Sequence, residues 1–231
     1  MAAGGTGGDA VTIRPYAERD FAGLVPLWHE TNRASYPYVA LQQRHTLDEA
    51  RAFFRSGVLR RCRVVVAEAA AGLAGLVAVE APWIRQLAVF APHRRRGVGT
   101  ALLRAARAIS PLELRLYTFR QNAPARAFYA RHGFVAVALG VSPAPECAPD
   151  VEYHWRHDGP APVPMTPRRN RACPLCGGPN ECAPARTGSF DEPCWCASVA
   201  IDPDALARVP EAARNEACLC RRCATGGAVD A

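Results

Sequence analysis

Residues 93–103 read HRRRGVGTALL: three arginines, two glycines spaced by one residue, then a run that opens a helix. Val98, Leu102, Ala106 and Ile109 repeat at i, i+4, i+8 and i+11, which sets them on one helix face. Upstream lies WIRQLAVFA, residues 83–91, a run of strand type. A strand, a glycine loop and a helix N-terminus together make an anion site. The first N–H groups of the helix have no partner within it and face outward with the positive end of the dipole. Gly97 and Gly99 allow the main chain to come close to a phosphate oxygen. The loop alone does not say whether that phosphate belongs to a small cofactor or a nucleic acid, and a solvated arginine turn has the same pattern.

The flanking chain alternates helix and strand signals. VTIRPYAERD reads as an edge strand running into the helix RDFAGLVPLWHETNRASY. In TLDEARAFFRSG, Thr46 caps a second helix and Glu49 completes a capping box. CRVVVAEA and LAGLVAVEA form a hairpin about the small-residue turn AAAG. After the glycine loop and its helix, LELRLYTF alternates as a half-buried strand. NAPARAFYARHG is a helix started by Asn122 and stopped by Gly133, and FVAVALGV and VEYHWRH close as strands.

With these elements in place, two motifs stand in order. VFAPHRRRGVGTALL resembles the acetyl-CoA signature of the GNAT N-acetyltransferase superfamily, Arg/Gln-x-x-Gly-x-Gly/Ala, through Arg94, Gly97 and Gly99. NAPARAFYARHGF resembles that family's second motif through Asn122, Ala125, Phe128, Tyr129, Gly133 and Phe134. The resemblance covers about residues 10–157. It implies an α/β fold with a mixed, mostly antiparallel central sheet flanked by helices. The implied activity is direct transfer of an acetyl group from acetyl-CoA to an amine, on a small molecule or a peptide.

The same resemblance implies the site residues. The backbone of Leu87, Ala88 and Val89 would take the pantetheine arm, and a backbone N–H near Leu87 the oxyanion. The stretch Arg94, Arg95, Arg96, Gly97, Val98, Gly99 and Thr100 would hold the pyrophosphate, with Asn122, Ala125 and Tyr129 completing the cofactor set. Asn122 and Tyr129 are two helical turns apart, near one face. Tyr129 would protonate the departing thiolate; a thiol near pKa 8.5 and a phenol near 10 are roughly matched. Arg85 stands where the family pattern carries an acid, so the general base is expected at Glu80, at the end of the preceding strand. Tyr36 and Tyr38 in NRASYPYVAL are expected at the acceptor pocket, and Asp150 is a contact for a cationic amine.

Composition sets further bounds. The chain has 231 residues, 49% of them apolar, enough for one ordinary domain and a small second one. No run of about 18 apolar residues occurs, so no transmembrane helix is expected. The start, MAAGGTGGDA, lacks the basic and apolar regions of a signal peptide, so residues 1–9 read as a flexible leader and the location as cytoplasmic. All 28 basic residues are arginine, which suggests a GC-rich bacterial genome and excludes lysine Schiff-base chemistry. The six histidines form no pair at metal-ligand spacing.

From 158 to 171, DGPAPVPMTPRRNR reads as a proline-rich linker. Eight of the ten cysteines follow it, in a module from 172 to 224 with a tail at 225–231. Cys173, Cys176, Cys182, Cys194, Cys196, Cys218, Cys220 and Cys223 make two C-x-x-C knuckles and two C-x-C pairs, enough for two tetrahedral thiolate sites. One or two structural Zn2+ ions are expected; the spacings fit no ferredoxin pattern. A core this small needs metal for part of its stability. CPLCG, PN, PCWC and CLCRRC resemble the bacterial cysteine-rich CWC family, which implies a fold unit but no activity. The alternative is a nucleic-acid- or protein-binding zinc protein with a non-catalytic first domain. Charge disfavours nucleic acid: residues 1–157 hold twenty arginines against twelve acids, the remainder eight against nine. Two Zn2+ ions on eight thiolates would make the module more acidic still.

Overall fold

The computed structural model describes residues 11–158, 162–190, 192, 194–214 and 216–227. The expected leader and parts of the linker and tail lie outside the described residues. The elements in chain order are β1 (Thr12–Pro15), α1 (Phe21–Ser35), α2 (Ala40–Arg44), α3 (Leu47–Phe53), α4 (Leu59–Arg61), β2 (Arg63–Ala69), β3 (Gly72–Glu80) and β4 (Trp83–Val89). They continue with α5 (Val98–Ile109), β5 (Glu113–Phe119), α6 (Ala123–Arg131), β6 (Val135–Val141), β7 (Pro149–Arg156), α7 (Ala183–Thr187), α8 (Pro203–Ala207) and α9 (Arg221–Ala224). The seven strands form one sheet in the order β1-β2-β3-β4-β5-β7-β6. Its pairings are antiparallel from β1 to β4 and between β6 and β7, and parallel between β4 and β5. This is the mixed, mostly antiparallel sheet expected from the sequence. No helix among the described residues is long and apolar enough to cross a membrane.

The chain divides into two compact units. The first comprises Met1–Pro37, Gln42–Leu116 and Arg156–Pro160. Here β3 is buried along nearly its whole length, because helices cover both of its faces. Leu24, Val25, Trp28, Ala50 and Phe54 pack with Leu76, Ala78, Ala88 and Phe90 on one face. The residues between, Val77 and Val79, are as deeply buried on the other, where Leu102 of α5 lies 3.1 Å from the position a Gly75 Cβ would take. The capping box at Thr46 and Glu49 forms as expected, with reciprocal bonds of 2.8 and 3.3 Å. The start of α1 is anchored by Arg14, which donates to both carboxylate oxygens of the buried Asp20 at 2.8 Å and to Glu68 at 2.6 Å.

The second unit comprises Tyr38–Leu41, Tyr117–Trp155 and Ala161–Ala231. The boundary between these units falls inside β5, so the end of the sheet and the cysteine segment cluster together. α6 begins where expected: Asn122 accepts from the Ala125 N–H at 3.2 Å. Gly133 then turns the chain with φ of 79° in the left-handed region, where glycine is free of strain. The cysteine segment has two small cores. One gathers Cys173, Ile201, Ala205, Val209, Leu219, Cys223 and Ala224; the other gathers Cys182, Ala183, Ala185 and Cys194.

Candidate functional site

In the first unit, β4 leads into the glycine loop and α5. The N–H of Phe90 bonds to the Ala74 carbonyl at 3.0 Å. Main-chain direction alternates along an antiparallel ladder, so Leu87 and Val89 turn their N–H and C=O groups away from β3. β4 pairs with β5 through Trp83 and Arg115, and among the described residues the ladder has no later rung. The outward N–H of Leu87 is therefore a donor on a strand edge. The Val89 carbonyl is already occupied, because Arg94 Nε donates to it at 3.1 Å and Arg94 Nη2 reaches Ser35 at 3.4 Å. Arg94 thus braces the loop against the end of β4.

The loop itself is wound tightly. Arg95 has φ of 63° and Gly97 φ of 85°. A left-handed arginine costs roughly 1–2 kcal/mol, the kind of local strain that collects at ligand-binding turns. Gly97 is the N-cap of α5, with no side-chain cap, and the first helical bond runs from Ala101 N–H to the Gly97 carbonyl at 3.0 Å. The amides of Val98, Gly99 and Thr100 therefore precede the intrahelical ladder. Arg95 and Arg96 are exposed beside them. The backbone supplies the anion cradle, and the arginines flank it.

Glu80 has two partners. Arg85 Nε donates to it at 2.8 Å, and Arg61 at 3.1 and 3.2 Å. The hydrogen bond from Arg85, with that from Arg61, holds its pKa below the ordinary glutamate value. A carboxylate so stabilised is a weak proton acceptor, which argues against the base role expected for it.

In the second unit, Tyr129 is buried on α6, its ring 5.3 Å from Phe128, 5.5 Å from Phe134 and 6.2 Å from Tyr153. Asn122 and Ala125 bond to each other, so the Asn122 carbonyl oxygen already has one donor. Asp150 is different. It lies on β7, is only 6% exposed, and its Oδ1 has no hydrogen-bond partner among the described residues. Burial, reinforced by Glu146 and Glu152, raises its pKa to about 6. Its partner across the ladder is Gly140, and a Cβ there would stand 2.8 Å from Asp150 Oδ1. That glycine opposite an acid is a cue that sequence reading had not used.

The cysteines separate into two groups. Cys173, Cys176, Cys220 and Cys223 bring their sulfurs within 4.8 Å of one another, with Cys176 and Cys220 at 3.7 Å. Four thiolates at 2.3 Å from one tetrahedral ion stand about 3.8 Å apart, so this set fits a metal ion. The knuckle closes through Gly177, at φ of 70°, whose N–H bonds to the Cys173 carbonyl at 2.9 Å. Burial raises the Cys173 thiol, but N–H bonds from Cys220, Leu175 and Cys176 outweigh it and lower the pKa to about 7.

Residues 60–136 match the family described as acetyltransferase (GNAT) domain, and residues 173–225 the family described as cysteine-rich CWC. The chain joins a GNAT acetyltransferase domain to a cysteine-rich CWC segment. Among solved structures, the GNAT portion is similar to apo YjaB of Escherichia coli, with a TM-score of 0.54 and 21% identity over 63% of this chain and 97% of that one. It is also similar to a GCN5-related N-acetyltransferase of Rhodopseudomonas palustris, with a TM-score of 0.54 and 22% identity over 67% and 100% of the two chains. A structure described as histone acetyltransferase HPA2 and related acetyltransferase, from Corynebacterium glutamicum, gives 0.52 and 17% over 65% and 98%. These likenesses establish the GNAT fold. No curated protein matches the chain.

Proposed function

We propose that the GNAT domain transfers an acetyl group from acetyl-CoA directly to an amine. The observation that carries this reading is the wound loop at the end of β4, where a left-handed Gly97 sets the amides of Val98 and Gly99 at the head of α5. Such amides favour a pyrophosphate through hydrogen bonds and the helix dipole together. Arg95 and Arg96 add positive charge, while Arg94 keeps the loop in place. The outward edge of β4 at Leu87–Val89 takes the pantetheine arm, as a strand takes another strand.

The amine nitrogen attacks the thioester carbonyl carbon. The oxyanion forms at the Leu87 N–H, and collapse breaks the carbon–sulfur bond. Tyr129 gives its proton to the departing thiolate. Asp150, in preference to Glu80, takes the proton that the attacking ammonium must lose. A buried carboxylate with one oxygen lacking a hydrogen-bond partner and a pKa of about 6 is suited to that step at neutral pH. The three acids Glu146, Asp150 and Glu152 favour a cationic acceptor, such as a diamine or a basic peptide N-terminus. The same reading assigns a structural Zn2+ ion to Cys173, Cys176, Cys220 and Cys223, which would supply folding free energy to a segment with a small core.

The test is a thiol-release assay with acetyl-CoA and a panel of amines that includes diamines and peptides, beside a melting curve with acetyl-CoA. Acetyl-CoA should raise the melting temperature, and at least one cationic amine should release free CoA. Stabilisation by DNA and none by acetyl-CoA would favour the nucleic-acid alternative instead.

A further inference from the structure

Four of the eight clustered cysteines remain after the first set is assigned, and pairwise contacts link them elsewhere in the second unit. The sulfurs of Cys182 and Cys218 are 3.4 Å apart, and Cys194 is close enough to Cys182 and Cys196 to perturb both thiols. Cys182 and Cys194 are buried and pack with Ala183, Ala185 and Trp195. The fully buried Asn180 fixes this group: its Oδ1 accepts from the Cys182 N–H at 3.1 Å, and its backbone carbonyl accepts from Trp195 Nε1 at 3.1 Å. Its Nδ2 bonds to the Asn170 and Ala172 carbonyls at 3.1 and 3.3 Å, so the same side chain anchors the approach to the first knuckle.

Three further contacts come from outside the cysteine segment. Arg120 Nη1 donates to Cys196 Sγ at 3.2 Å. Gln121 Nε2 donates to the Ala197 carbonyl, and the Ile201 N–H reaches the Cys147 carbonyl at 3.4 Å. Arg120 is fixed in turn by its own N–H to the Pro149 carbonyl at 2.9 Å, two residues before the Asn122 cap of α6. Four thiolates on a divalent ion carry a net double negative charge. A guanidinium hydrogen-bonded to one sulfur offsets part of it and fixes that ligand.

We propose that Cys182, Cys194, Cys196 and Cys218 form a second tetrathiolate metal site, and that Arg120 joins it to the loop that starts α6. The site is separate from the Cys173–Cys176–Cys220–Cys223 set and shares no ligand with it. The ligands nest in the sequence, with the second site enclosed between the two knuckles of the first. The ion that fits is a soft or borderline divalent cation that accepts four sulfurs, of which Zn2+ is the leading case.

The experiment uses the full chain, purified with Zn2+ and under reducing conditions. Elemental analysis should find about two metal equivalents. Cys182→Ser with Cys218→Ser should leave about one, and Cys173→Ser with Cys223→Ser should also leave about one. Cobalt substitution should give a thiolate charge-transfer band of roughly half the wild-type intensity in either double variant. A wild-type chain that binds one equivalent overturns the proposal, as does a Cys182–Cys218 disulfide in the metal-loaded protein. Should a cysteine variant fail to fold, Arg120→Gln tests the link without touching a ligand. Release of metal to a chelator should then quicken in one of two phases by about 10- to 100-fold, with the other unchanged. Two unchanged phases overturn the role of Arg120.

Discussion

Arg85 donates to Glu80 across 2.8 Å, and Arg61 closes on the same carboxylate from α4. This pairing weakens Glu80 as a proton acceptor, and the base proposed in its place is Asp150, which is buried with its Oδ1 lacking a hydrogen-bond partner. Glu80→Gln should stay within about threefold of wild-type kcat/KM, whereas Asp150→Asn should lose about 10²–10⁴-fold, as for removal of a general base. Wild-type kcat/KM should rise with pH through about 6, as Asp150 loses its proton. Loss of that ascending limb in Glu80→Gln would return the role to Glu80.

Asp150 also makes a prediction about stability. Its folded pKa of about 6 lies above the ordinary value of 3.8. The native state therefore binds its proton more tightly, and the penalty of burying the charge is absent below the lower value and complete above the upper one. Asp150→Asn removes the charge and keeps the shape. It should raise the melting temperature at pH 7.5, by up to roughly 3 kcal/mol of stability for two pKa units, and change little at pH 3.5. Equal effects at both pH values would contradict the assignment.

The opposite sign applies to Asp20. The Arg14 guanidinium, opposed by burial and joined by the Ala17 N–H, lowers its pKa. Its contribution is present above the unfolded carboxyl value and is lost as pH falls through the folded one. Asp20→Asn should therefore lower the melting temperature at pH 7 and converge on wild type as the buffer becomes acid. A gap independent of pH would show that packing, not charge, sets the cost.

At Gly97 the backbone is left-handed and a Cβ would meet nothing within 4 Å, so substitution is opposed by conformation and not by space. Gly97→Ala should cost about 1 kcal/mol of stability and weaken acetyl-CoA binding, seen as a higher KM for the donor. Gly97→Asn, which tolerates this conformation better, should recover part of both. If the two variants bind acetyl-CoA alike and as wild type does, the loop is not the cradle.

Gly75 meets the reverse situation. A Cβ there would lie 2.5 Å from the Ala88 carbonyl and 3.1 Å from Leu102. The first neighbour is backbone of β4 and cannot rotate away. Gly75→Ala should destabilise by about 1–3 kcal/mol and disturb the Leu87–Val89 edge, measurable in denaturant melts and in the donor KM. An unchanged midpoint would mean that the ladder yields freely.

Much of the candidate site was legible from local signals. The β4–loop–α5 unit follows from a strand run, Gly97 and a helical apolar stripe. The Asn122 cap and the Gly133 stop follow from residue types that serve those positions everywhere. The partners of the charged side chains were not legible. Nothing near Glu80 in the chain announces Arg61, nineteen residues away, and nothing near Cys196 announces Arg120. Nor does the motif announce that Arg94, expected at the pyrophosphate, also donates to the Val89 carbonyl on the strand the turn leaves.

The sequence by itself determined the strand and helix periods, the GNAT motifs and the reservoir of eight thiols, since each rests on spacing along the chain. Only the tertiary structure decided which four thiols meet within 4.8 Å of one another, which carboxylate oxygen is buried without a hydrogen bond, and which arginines are committed to ion pairs. Those are distances between residues far apart in the chain. A side chain's charge, basicity and ligands are set by what the fold brings within a few ångströms of it.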